Sequence, residues 1–111
     1  MEGFYVAYLT GRAGSSLLLF AIRGSDLIGV DAGGLKYDGK VSKTTEGWKC
    51  TVVYTIPAGS PELITGADAP STDQRIPLEF SLPPDFSNGQ IIGIATPLGP
   101  VNAKFQKLRE W

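Results

Sequence analysis

The chain has 111 residues, with 10 Lys plus Arg against 11 Asp plus Glu, no histidine and one cysteine. That length builds one hydrophobic core and predicts a single domain over residues 1–111. The missing histidine removes Ser-His-Asp triads, Cys-His dyads and imidazole metal ligands. The single cysteine removes an intrachain disulfide and a zinc cluster, and a formal charge of -1 argues against a nucleic-acid binder.

No window of helical length carries an apolar i, i+3, i+4 stripe. Short apolar runs recur instead, parted by Gly, Pro, Asp, Asn and Ser, and they read as strands. Residues 3–9 (GFYVAYL) form the first, rich in aromatics. Residues 16–22 (SLLLFAI) are a continuous apolar run, and 26–30 (DLIGV) follow the turn Arg23-Gly24-Ser25. Residues 35–41 alternate, with Leu35, Tyr37, Gly39 and Val41 on one side. Residues 48–56 alternate best: Trp48, Cys50, Val52, Tyr54 and Ile56 share a face. Residues 75–82 put Ile76, Leu78, Phe80 and Leu82 together, and 90–95 and 100–108 complete the series. Between them lie a Pro/Gly-rich loop over 57–72, with room for one short helical turn, and a turn over 83–88.

Eight short strands at hairpin spacing predict an all-β antiparallel barrel or sandwich. A barrel would bury sheet edges that otherwise invite aggregation. Its interior would take Tyr37, Trp48, Tyr54, Leu78 and Phe80. The first two strands break the usual rule that one face is wet. Phe4, Val6 and Tyr8 back onto Tyr5, Ala7 and Leu9, and Leu17 and Leu19 back onto Leu18 and Phe20. Both faces therefore want cover. Either the long loop or a short helix lies over them, or Phe4, Val6, Leu17 and Leu19 form a face for dimerisation or a partner.

Few residues point to chemistry. Gly34 to Val41 (GLKYDGKV) nearly matches a phosphate loop. Val41 stands where a hydroxyl should bind magnesium, however, and the segment alternates as a strand does. Asp31, within Gly29-Val-Asp-Ala-Gly-Gly34, is placed to fix its own turn. Cys50 lies on the apolar face of the best strand and reads as a small buried hydrophobe. The carboxylates Asp26, Asp31, Asp38, Glu46, Glu62, Asp68, Asp73, Glu79 and Asp85 show no spacing that singles out a catalytic pair. Residues 61–103 hold five acids and one base, whereas 104–109 hold three bases. Those segments suit a charged partner better than the rest of the chain, with a solvated face as the plainer reading. The longest apolar run, 17–22, is too short for a membrane span. No basic segment followed by an apolar stretch opens the chain, which predicts a cytoplasmic protein without a secretory signal.

Several short motifs together resemble a known family. The opening Gly3-Phe4-Tyr5-Val6 matches its G-x-Y-x-V start. Arg23-Gly24-Ser25-Asp26 leading into Ile28-Gly29-Val30-Asp31 is similar to its glycine- and aspartate-bearing segment, and Tyr37-Asp38-Gly39 matches its Y-x-G. These are features of the GrlR family of negative regulators of type III secretion genes, and they cover the first half of the chain. The resemblance implies an eight-stranded, lipocalin-like up-and-down barrel with at most one or two short helical turns. It implies a homodimer and a non-enzymatic role, binding a transcriptional activator without direct contact to nucleic acid, membrane or cofactor. It also directs attention to the loop between Val41 and Trp48, where the candidate contact residues are Lys43, Thr44, Thr45 and Glu46. Here that loop carries one cation and one acid, where the family has an acidic run. The alternative function is that of a carrier or sensor of a small apolar ligand, since an eight-stranded barrel interior either fills with side chains or holds one small molecule.

Overall fold

The fold is that of a computed structural model, which describes residues 1–60, 63–68 and 70–111. Eight strands form: β1 (Gly3–Gly11), β2 (Gly14–Arg23), β3 (Asp26–Asp31), β4 (Lys36–Thr44), β5 (Gly47–Ile56), β6 (Gln74–Leu82), β7 (Asn88–Thr96) and β8 (Gly99–Arg109). All eight join one antiparallel sheet in the order β6-β5-β4-β3-β2-β1-β8-β7. This is an all-β up-and-down barrel, one of the two architectures that the hairpin spacing predicts and the one that the resemblance implies, and among the described residues it contains no helix. No helix is therefore long and apolar enough to cross a membrane.

The closure differs from a seamless cylinder. β1 pairs with β8 from Phe4↔Arg109 to Gly11↔Val101, which brings the two ends of the chain together. No ladder joins β6 to β7, although they are consecutive. The sheet curls into a barrel with one open seam there. Pro77 lies in β6, an edge strand, where its missing N–H leaves one fewer unpaired donor.

Alternation decides what faces in. Cys50, Val52, Tyr54 and Ile56 of β5 are buried, with Lys49 and Thr51 outside. On β1 the inward set is Tyr5, Ala7 and Leu9, and on β2 it is Leu18, Phe20 and Ile22. The strands curl tightly where glycine replaces a side chain. A Cβ on Gly39 would lie 2.4 Å from the carbonyl oxygen of Thr51, so only glycine fits that bend without a shift.

Each end of the barrel is stopped by a different device. At the end holding the chain termini, the β6–β7 turn inserts Phe86. Its ring meets Phe105 edge-on at 5.5 Å and Tyr5 at 5.6 Å, and Tyr5 stacks on Phe20 at 5.1 Å. At the opposite end the long loop crosses over. Leu63 is buried against Tyr54, Ile56 and Ile76, and the Ile64 carbonyl accepts the Ala13 N–H at 2.7 Å. This answers the question the first two strands raised. The described residues of the loop close the barrel end and do not lie over the outer faces of β1 and β2.

Candidate functional site

The outer faces of β1, β2 and β3 are adjacent, and their register brings apolar residues side by side. Phe4 lies opposite Ala21, which lies opposite Ile28. Val6 lies opposite Leu19, which lies opposite Val30, and Tyr8 lies opposite Leu17. Leu108 adds to the band from β8, at the bulge between the Phe4↔Arg109 and Tyr5↔Lys107 pairs. Trp111 stacks flat on Phe4, with ring centroids 5.1 Å apart, and the Arg23 guanidinium lies over the indole at 5.0 Å. Ile28, Val30, Leu19, Tyr8, Leu108 and Trp111 each expose about half of their surface, and Phe4 and Leu17 somewhat less. A shallow groove runs among them over Ala21, where the outward side chain is small.

The candidate face therefore holds three of its four expected members in the open. Val6 is the exception: it points outward but is only 4% exposed. Tyr8, Ile28, Val30, Leu108 and Trp111 extend the face beyond the residues the sequence singled out. The signal for Ile28 and Val30 was present, since they alternate with inward Leu27 and Gly29. Trp111 had none, because its place depends on β8 lying beside β1.

The area is large for a lone protein. The eight half-exposed side chains present on the order of 700 Å², beyond the ~300–600 Å² of the largest patch on a typical monomer. The rim carries both signs. On β4, Lys36, Asp38 and Lys40 face outward, and Lys40 pairs with Asp26 across the strands. Exposed pairs of this kind add little stability, but they border the apolar band with groups that stay hydrated.

The β4–β5 hairpin is a poor rival. Lys43 lies opposite Trp48 and Thr44 opposite Gly47, leaving Thr45 and Glu46 at the tip. Lys43, Thr44, Thr45 and Glu46 are all exposed, and the Glu46 N–H donates to Thr44 Oγ1 at 3.3 Å. One cation and one acid on a tight turn make neither a charged nor an apolar surface. In the tail, Lys107 turns inward over the Tyr5 ring at 5.7 Å and pairs with Glu110 at 2.8 Å, so its charge is already engaged.

Inside the barrel, Tyr37, Tyr54, Leu78 and Phe80 border a cavity of about 150 Å³. Trp48 also faces inward but packs against the core away from that space. The bulky inner set thus leaves room rather than filling the interior. Asp31 sits at the rim of the cavity and is engaged through both of its oxygens. Its Oδ1 accepts the N–H groups of Gly33 (2.9 Å) and Leu35 (3.0 Å), and its Oδ2 accepts the Tyr37 hydroxyl at 3.0 Å. Burial and the neighbouring Asp31 carboxylate push the Tyr37 hydroxyl well above the usual phenol range. This is the turn-fixing role expected of Asp31, extended by a bond to the next strand. Cys50 is buried, and burial pushes its thiol up to about 11, which makes it a poor nucleophile. The phosphate-loop look-alike is β4 strand throughout 36–41 and offers no helix N-terminus. Glu62 lies outside the described residues. Among the described residues no group of three Cys, Asp or Glu side chains is placed to hold a metal.

No family model matches this chain, and no curated protein or solved structure resembles it significantly.

Proposed function

We propose that this chain is a non-enzymatic, cytoplasmic binding protein whose working surface is the outer apolar face of β1, β2, β3 and β8. We further propose that a second copy of the chain occupies that face. The observation that carries the reading is the continuous row of exposed side chains from Phe4 and Trp111 through Leu19 to Val30. The patch approaches the roughly 800 Å² per partner of a standard stable interface. An apolar sheet face without charge at its centre, bordered by both signs, is complementary to itself across a two-fold axis. Two such twisted faces pack with their strands about 30° apart.

The short motifs shared with GrlR-type negative regulators support a regulatory role for that dimer, with a transcriptional activator as the protein bound. The hairpin at 43–46 lacks the acidic run of that family, so an activator held by this chain would be recognised elsewhere than by acidic charge at that tip.

Light scattering on the purified chain at ~10–100 µM tests the dimer. The expected mass is twice that of one chain, falling to one chain in Leu19→Asp and in Val30→Asp with an unchanged far-UV spectrum. A single-chain mass for the unaltered protein across that range overturns the reading.

A further inference from the structure

We propose that the barrel interior is a binding site for one small, neutral, apolar molecule of about the size of a single aromatic ring. The space and its walls define this class. The cavity runs from Ile22 and Phe105 near the chain termini to Leu35 and Leu98 near the long loop, and its wall is mostly hydrocarbon, with a few hydroxyls such as those of Ser16, Ser60 and Thr96 and the Cys50 thiol among the lining groups. Its volume of about 150 Å³ matches that of cavities lined by Leu, Ile and Phe that hold benzene or xenon. Drug-sized ligands need roughly 300–1,000 Å³, so a sterol or a long acyl chain is too large to be enclosed.

Charge narrows the class further. Among the described residues the one carboxylate at the rim is Asp31, and it already accepts three hydrogen bonds that hold its own turn and the Tyr37 hydroxyl. The same carboxylate repels an anion, and among the described residues no lysine or arginine lines the space. Burying an unpaired charge there would carry a heavy desolvation cost. A neutral guest meets no such penalty.

The fold also provides a way in. β6 and β7 flank the cavity with Leu78, Phe80 and Ile94, and no backbone ladder joins those strands. A guest passing between them displaces side chains without breaking the sheet. This site is separate from the outer face: the cavity is lined by Leu18, Ile22 and Val52, whereas Leu19, Ile28 and Val30 point the other way.

Toluene is the probe, added to the full chain with methyl-labelled Leu, Ile and Val. At about ten times its Kd it should raise Tm by roughly 5 °C. It should shift the methyl resonances of Leu18, Val52 and Leu78 and leave those of Leu19, Ile28 and Val30 in place. Benzoate, the same ring with a charge, should do neither. Cys50→Leu, which pushes extra carbon into the cavity, should abolish the rise in Tm, while Leu19→Asp should keep it whether or not the chain dimerises. No methyl shift with toluene, or shifts confined to Leu19, Ile28 and Val30, overturns the proposal, and this test on the unaltered chain decides the matter even if Cys50→Leu does not fold.

Discussion

Phe86→Ala removes the ring that stops the barrel at the end where the chain begins and finishes. Phe86 is 4% exposed and belongs to an aromatic group with Tyr5, Phe20 and Phe105. Deleting a buried phenylalanine costs about 3–5 kcal/mol, part from lost transfer and part from the hole that remains. The two ring contacts, with Phe105 at 5.5 Å and Tyr5 at 5.6 Å, each add about 0.5–1.5 kcal/mol beyond area. The β6–β7 turn cannot refill the space easily, because the Phe86 N–H is held by the Pro83 carbonyl and the Asn88 N–H by that of Asp85. A loss in the upper half of the range, about 4 kcal/mol, is therefore expected out of a total near 5–15 kcal/mol. Urea unfolding followed by near-UV circular dichroism measures it, read from the midpoint at constant slope. Phe86→Leu should lose about half as much. A loss below about 1 kcal/mol for Phe86→Ala would mean that the ring does not close the barrel, and the account of that end would be wrong.

Two further outcomes follow from other parts of the fold. Gly47 has φ 146°, and a Cβ there would lie 2.1 Å from the Leu82 carbonyl oxygen, so Gly47→Ala should cost upwards of about 3 kcal/mol. Gly24 has φ 60° with open space around it, so Gly24→Ala should cost only the left-handed backbone preference, about 1–2 kcal/mol; equal losses at both positions in a thermal melt would refute the close approach. Cys50 titrates near 9.0 when free and is pushed up to about 11 in the fold. The folded chain thus keeps a proton that the unfolded chain releases, so stability is full below pH 9 and falls as pH rises from about 9 to about 11. In Cys50→Ala the part of that fall owed to the thiol should vanish, leaving the share of the tyrosines, and an identical pH profile in the two proteins would exclude the thiol as a cause.

Much of this architecture is written locally. The alternation of Trp48 to Ile56 and of Ile76 to Leu82 states which side of each strand is inside, because water and core demand opposite residue types on the two faces. Asp31 among glycines states its own turn, since a short carboxylate reaches the amides two and four residues on. Where both faces are apolar the pattern loses its sign. Phe4, Val6 and Tyr8 are as fit for a core as Tyr5, Ala7 and Leu9, and only the direction in which the whole sheet curls chose the second set. That choice is what leaves Leu19, Ile28 and Val30 in the open and defines the candidate interface. Phe86 and Leu63 were legible as apolar residues in turns, but their burial depends on strands distant in sequence. The cavity depends on more still: it is the difference between the circumference of eight strands with one open seam and the summed volume of the side chains pointing inward. No single residue carries that difference, so composition and periodicity determined that this chain would be a series of short antiparallel strands, and tertiary packing alone decided that its wall would be apolar on the outside and its centre not quite full.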